Sequence, residues 1–301
     1  MEKKIFSYPN IHETALSFSL FGRTIDIQWY GLSYIFGVLI AWYLMLMIVR
    51  KPSLWASSSK TISKNNIDDL ITYMILGILI GGRLGYCIFY TPIYYLENPH
   101  KILFLWEGGM SFHGGFLGVV TAGVFFAFKR NLPILTLGDI IAFSSPPGLF
   151  FGRMANFVNG ELWGKQTSSF WGINFTKGGG QFCPDNQDSI CLRHPSQLYE
   201  ATLEGILLLM VFFFLAYRFQ ALKKPGLIFG TFLLGYGLIR FFIEFVREAD
   251  SFFVTETNPL GHALQITSSL GLTMGQALCL PMIVVGFLLI WNALCRNPRC
   301  F

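Results

Sequence analysis

From Tyr30 to Val49 the chain runs twenty residues without a charged side chain. That is about the length a helix needs to cross the hydrocarbon core of a bilayer. Lipid offers backbone groups no hydrogen-bond partners, so a spanning segment must be a helix or part of a closed barrel. Six more apolar runs follow. The second comes after Asp68-Asp69 and ends at about Tyr90; the third runs from Ser111 to about Phe128. The fourth runs from about Ile134 to Gly152, the fifth from Ser196 to Tyr217, the sixth from Leu227 to about Phe245, and the seventh from Gln276 to Leu294. The expected fold is an all-α polytopic membrane protein with seven transmembrane helices, a single integral domain over residues 1–301. Charged residues make up 13% of the chain, against about 25% in soluble domains. No apolar stretch follows Lys3 and Lys4 closely, so no cleavable signal peptide is expected.

Loop charges set the orientation, because lysine and arginine accumulate on the cytoplasmic side. Loop 50–66, turn 129–131, turn 218–226 and the tail after Leu294 hold eleven of the 22 basic residues. Placing these inside puts the N-terminus outside and the C-terminus in the cytoplasm. The polar connections 165–195 and 246–274 then lie outside, which in a bacterium makes the first a small periplasmic head. The net charge of +5 reads as loop charge beside anionic lipid, not as a nucleic-acid patch. Cys183 and Cys191 flank a polar segment of the head, where an oxidising compartment would permit a bridge. No cysteine or histidine spacing matches a metal site, and neither a metal nor a cofactor is expected.

The polar residues within the runs carry the functional signal. Gly152 to Gly164 reads GRMANFVNGELWG and places Arg153, Asn156, Asn159 and Glu161 within nine positions. If the helix continues through Arg153, then Arg153 and Asn156 share a face, and Asn159-Gly160 is a break that lets Glu161 fold back. Tyr236, Arg240 and Glu244 recur at intervals of four, on one stripe. Tyr30, His113 and the segment His194 to Glu200 complete the set. In the expected topology all of them sit at one depth on the outer side. Two arginines from different helices suit a phosphate, and at a membrane-embedded site a phosphate suggests a phospholipid headgroup.

Each residue also has a plainer reading. Arg153 fits a snorkelling side chain with an ion pair. His113 is either a proton acceptor or a hydrogen-bonded helix contact, and Tyr30 is either site lining or an interface anchor. Arg83 reads as the partner of a carboxylate, and Asp139 as a helix-start or solvated residue. Gly81 and Gly85 form a small-xxx-small pair that lets helices approach closely. A membrane transporter for an anionic solute, using the Arg153/Arg240 pair, is the competing function.

GRMANFVNGELWG, SFHGGFLG, HPSQLYEA, GYGLIRFFIEFVRE and GQALCLPM, in this order, resemble the bacterial prolipoprotein diacylglyceryl transferase family over essentially the whole chain. The resemblance implies a seven-helix inner-membrane enzyme. It would transfer the sn-1,2-diacylglyceryl group of phosphatidylglycerol to the lipobox cysteine thiol of a prolipoprotein, leaving a thioether and glycerol 1-phosphate. It further implies that Arg153 and Arg240 hold the phosphate and that Asn156, Glu161 and Gly164 shape the site. Tyr30 and Tyr236 would line it, Glu244 would join the lipid-binding set, and His113 would act as the base.

Overall fold

The computed structural model describes residues 6–9, 11–20, 23–56, 62–105, 108–177, 179–180, 183, 191–249, 253–256, 258–267 and 270–295. Lys60, Arg296 and Arg299, counted above among the basic residues of loop and tail, lie outside them, as does the side chain of His113.

A short strand β1 (Phe6–Ser7) and a hairpin of β2 (Thr14–Leu20) and β3 (Arg23–Gln28) precede helix α1 (Trp29–Val49). Then come α2 (Lys64–Phe89), the short α3 (Pro92–Glu97), α4 (Phe112–Lys129), α5 (Ile134–Ser144) and α6 (Pro146–Asn159). Strands β4 (Ile173–Asn174) and β5 (Leu192–Arg193) lie in the head. Helix α7 (Ser196–Glu200) passes through a π-helical stretch, Ala201–Leu207, into α8 (Leu208–Arg218). Helix α9 (Leu227–Ile243), strands β6 (Leu264–Gln265) and β7 (Gly271–Leu272), and α10 (Met274–Cys295) complete the order. Among the described residues, five helical segments are long and apolar enough to cross a membrane: α1, α2, α5 with α6, α7 through α8, and α10. Gly114–Lys129 and α9 are shorter apolar helices. The protein is thus mostly helical and polytopic in character.

Three details differ from the reading of the sequence. Helix α2 starts at Lys64, earlier than Asp68-Asp69, because Ser63 caps it: its hydroxyl accepts from the Asn66 amide at 3.2 Å. Asp68 and Asp69 therefore sit inside the helix, where Asp68 accepts from Trp42 Nε1 at 2.7 Å and Asp69 pairs with Arg130. The fourth run continues to Asn159, beyond Gly152; the interruption that Ser144-Ser145-Pro146-Pro147 announces within it is present, as two helices that meet at Ser145. Pro146 and Pro147 lack N–H groups, and the first turn of a new helix is where a missing N–H costs least. Asp139 is neither solvated nor at the start of its own helix. It is fully buried in α5, and its carboxylate accepts from the amides of Gly226 (2.7 Å) and Phe229 (2.8 Å) at the start of α9. An Asp139→Ala variant should lose about 1–3 kcal/mol of stability, because those buried amides lose their partner. A lowered melting temperature in detergent would check it; an unchanged one would refute the capping role.

Helices α2 and α4 cross with their backbones in contact. A Cβ at Gly85 would lie 2.7 Å from Gly114 Cα, and one at Gly81 2.8 Å from Gly118 Cα. The glycine pair in α2 thus meets a matching pair in α4. Gly85→Ala should force the helices apart at a cost of about 1–3 kcal/mol, typical of overpacking, again readable by thermal melting.

The apolar core and the polar residues occupy opposite ends of the bundle. The core gathers Leu44, Ile48, Ile67, Leu70, Phe126, Phe143, Phe212 and Ile228, from the later turns of α1 and α4, the first turns of α2 and α9, and from α5 and α8. At the other end a small cluster of Tyr8, Phe157 and Phe175 seats the N-terminal segment and the head on the end of α6. The Tyr8 hydroxyl donates to the Phe157 carbonyl at 2.8 Å. β1 pairs parallel with β4, and β4 antiparallel with β5, completing that cover.

Candidate active site

The polar end is built where α6 and α9 finish and α7 begins. Gly160 takes a left-handed conformation (φ +68°), and the Glu161 amide bonds back to the Asn156 carbonyl at 3.0 Å, which stops α6. The chain reverses there. Glu161 Oε1 accepts from Asn156 Nδ2 at 2.8 Å and from Asn159 Nδ2 at 3.5 Å, so the carboxylate does fold back onto the amides. The HPSQLYE segment holds this turn. Gln197 Nε2 donates to the Glu161 carbonyl at 2.6 Å, and Ser196 Oγ to the Leu162 carbonyl at 2.9 Å.

Gly164 is a close-approach glycine. Its amide donates to the His194 carbonyl at 2.8 Å, and it pairs with Arg247 in an isolated bridge. A Cβ there would stand 2.5 Å from the Val246 carbonyl oxygen and 2.7 Å from His194 Cβ. Arg193 anchors the head from the same strand. It is buried, pairs with Glu248 at 2.7 Å, donates to the Gly180 carbonyl at 2.9 Å, and lies 3.9 Å from the Trp163 ring centroid. Beside it, Cys183 and Cys191 are buried free thiols in hydrogen-bond contact. Burial pushes the Cys191 thiol up to about 11.

Arg153 and Arg240 converge on one carboxylate. Glu200, fully buried, takes Arg153 Nε on Oε2 at 3.1 Å and Arg240 Nη1 on Oε1 at 2.8 Å. Arg247 Nη1 stands 3.7 Å from the same Oε1. Arg240 Nη2 pairs with Glu244 at 2.9 Å, and Glu244 also accepts from Thr273 Oγ1 at 3.0 Å. Arg153 is hydrogen-bonded to Tyr236 and stands 3.7 Å from Glu204 Oε2. A glutamate shared among guanidinium groups orients their planar donor forks. The ends of α6, α7 and α9 thus form one network.

Tyr30 belongs to a neighbouring element. Helix α1 runs along α6, with Phe36 against Phe151 and a Cβ at Gly37 placed 3.0 Å from Gly148 Cα. Tyr30 packs on Tyr34 (ring centroids 5.2 Å), and Tyr34 is within electrostatic reach of Glu161. His113 is in the first turn of α4, but its side chain lies outside the described residues. Among the described residues Arg83 joins neither the network nor a carboxylate. It is buried and donates to the carbonyls of Lys101 (2.6 Å), Ile102 (2.9 Å), Phe104 (3.0 Å), Gly108 and Gly109, holding the 101–109 loop.

Two features escaped the sequence reading: the central place of Glu200, and Glu204 altogether. Both stand in HPSQLYEATLEG, and an ionisable residue inside an apolar run is itself the signal. Beside the network lies an open apolar groove of about 630 Å³, whose walls include Tyr199, Leu203, Leu238, Ile239 and Phe242, with His194 at its edge. His194 Nδ1 is 3.1 Å from the Tyr199 hydroxyl, and burial lowers the histidine below its usual range.

The family model described as prolipoprotein diacylglyceryl transferase matches residues 16–292. A phosphatidylglycerol–prolipoprotein diacylglyceryl transferase of Ruegeria pomeroyi is 47% identical over 289 residues, covering 96% of this chain and 97% of the relative. One from Cereibacter sphaeroides is 51% identical over 283 residues, covering 94% and 96%. One from Roseobacter denitrificans is 46% identical over 286 residues, covering 95% and 97%.

Proposed function

The chain belongs to the prolipoprotein diacylglyceryl transferase family, and from that premise we propose the reaction and the residues that serve it. The protein is a transferase. It moves the sn-1,2-diacylglyceryl group of phosphatidylglycerol to the lipobox cysteine thiol of a prolipoprotein, with glycerol 1-phosphate departing. The sulfur attacks the glycerol C3 carbon, the carbon–oxygen bond to phosphate breaks, and the thiol proton leaves.

The observation that carries the assignment of roles is the meeting of Arg153 and Arg240 on Glu200. Guanidinium groups already fixed in place can take the phosphate oxygens without reorganising as the leaving group gains charge. Asn156, Glu161 and Gly164 shape the turn beside them, and Tyr236 and Tyr30 line the approach. Glu244 holds the far side of Arg240. Ile239 and Ile243 flank Arg240 and line the apolar groove, so a bound lipid can keep its phosphate at the arginines and its acyl chains in the groove. A free thiol has a pKa near 8.5, so attack needs a base or a positive field. His113 is assigned the base by its motif.

The same reading makes the seven apolar segments membrane spans, with the N-terminus outside, the C-terminus cytoplasmic and the site facing the periplasm of a bacterial inner membrane. The concentration of lysine and arginine in the opposite loops supports it. The 165–195 head belongs to the single domain of residues 1–301.

The test uses purified protein in detergent, phosphatidylglycerol and a lipobox peptide with one cysteine, following glycerol phosphate release and peptide mass. A diacylglyceryl mass gain is expected with the parent protein. It should be lost with Arg153→Ala and with a serine-substituted peptide. Well-folded protein that modifies no peptide, but carries an anionic solute across liposomes, would overturn the assignment in favour of transport.

A further inference from the structure

Glu204 has no part in the chemistry described so far. It is fully buried on the π-helical stretch, and neither carboxyl oxygen has a hydrogen-bond partner among the described residues. Stretches of π-helix are rare and occur frequently at functional sites. Arg153 Nε stands 3.7 Å from Glu204 Oε2 and 3.1 Å from Glu200 Oε2, so Glu204 is the weaker partner. The charged and titratable groups facing it are Arg153 on α6, Glu200 on α7, Tyr236 and Arg240 on α9, Arg247 beyond α9, and Cys279 on α10.

Charge matching then poses a problem. Among the described residues of the network, Arg153, Arg240 and Arg247 face Glu200, Glu204 and Glu244. With every group ionised, the six charges cancel. A phosphodiester headgroup brings one more negative charge, and an uncompensated charge in a buried setting is strongly disfavoured. Glu200 is ion-paired through both oxygens, with Arg153 at 3.1 Å and Arg240 at 2.8 Å, and Glu244 is paired with Arg240 and bonded to Thr273, whereas Arg153 stands 3.7 Å from Glu204. Glu204 has the least to lose by accepting a proton, and as an acid it also becomes a hydrogen-bond donor.

We propose that Glu204 carries a proton while a phosphodiester headgroup occupies the Arg153–Arg240 network, giving that set of three arginines and three glutamates one net positive charge to match a monoanionic lipid. This rests on the phosphatidylglycerol reading above. Glu204 is then a positioning residue that sets the charge of the site, and a dianionic phosphomonoester lipid would exceed that match.

The test is infrared difference spectroscopy on the full-length protein in phosphatidylcholine nanodiscs with short-chain phosphatidylglycerol and no peptide. The parent protein is compared with Glu204→Gln, so that the lipid ester carbonyls cancel. The expected result is a protonated carboxylic acid band in the parent that shifts in heavy water and is missing from the variant. Should Glu204→Gln fail to fold, Glu204→Asp keeps the acid, and the band should move rather than vanish. An ionised carboxylate signature for Glu204 in the lipid-bound parent would overturn the proposal, even if the same sample binds lipid by calorimetry and releases glycerol phosphate once peptide is added. Failure of the parent to bind phosphatidylglycerol would instead overturn the substrate reading, and this proposal with it.

Discussion

An Arg153→Lys variant is expected to transfer diacylglyceryl about 10²–10³-fold more slowly than the parent, the scale seen when one preorganised donor is removed from a site of developing charge. The loss should nearly equal that of Arg153→Ala. Arg153 Nε lies between Glu200 at 3.1 Å and Glu204 at 3.7 Å, while the guanidinium also bonds Tyr236. One rigid plane therefore meets three partners, two of them through Nε, and keeps further donors for a phosphate. Lysine is a compact point charge on a flexible stem; it can keep one of those partners and not the set. The same logic applies to Arg240, whose Nη1 and Nη2 engage two different carboxylates at 2.8 Å and 2.9 Å. The measurement is kcat/KM for glycerol phosphate release, with thermal melting to show that each variant is folded. Parent-like turnover in Arg153→Lys would leave only a requirement for positive charge and remove the planar-fork account.

The parts of this site that could be read from sequence were those within one helix or one turn. The spacing of Arg153, Asn156 and Glu161, with Asn159-Gly160 between, already describes a helix end that folds back, since i,i+3 neighbours share a face and glycine permits the left-handed stop. Arg240 and Glu244 likewise pair across one turn. Contacts between helices were legible only as a shared depth. Nothing in the spacing of HPSQLYEATLEG says that Glu200 will meet Arg153 from one side and Arg240 from the other. Asp139 shows the same limit from another direction. Its position early in an apolar run suggested service to its own helix, whereas the groups it satisfies lie 87 and 90 residues away. Arg83 was read as the partner of a carboxylate; the acceptors it meets among the described residues are backbone carbonyls of one loop, which no spacing announces. The hairpin of β2 and β3 lies before the first apolar run, in residues to which the sequence reading assigned no element. There Ser17 donates to Asp26 at 2.6 Å, a cross-strand pair visible only once the register is set.

Glu200→Ala should be the most destabilising single change in the network, by about 3–5 kcal/mol, the scale for removing one partner of a buried ion pair. Glu200 is fully buried and shared by Arg153, Arg240 and Arg247. Without it, three guanidinium groups from two helix ends and the segment after α9 stand together with only Glu204 and Glu244 as described counter-charges. Their mutual repulsion then adds to the loss of hydrogen bonds. Glu200→Gln separates the two effects, since it keeps the side-chain volume and one acceptor oxygen but no charge. If the carboxylate acts as the common counter-ion, the glutamine variant should melt nearly as low as the alanine variant, and both should lose transfer even where they remain folded, because Arg153 and Arg240 lose the group that holds them in register. If Glu200 merely fills space, Glu200→Gln should melt and turn over like the parent. Thermal melting and glycerol phosphate release on the same three proteins decide between these outcomes. The comparison with Asp139→Ala is informative as well: that carboxylate holds amides, not cations, so its loss should lower stability by the smaller amount and leave the turnover of the folded fraction intact.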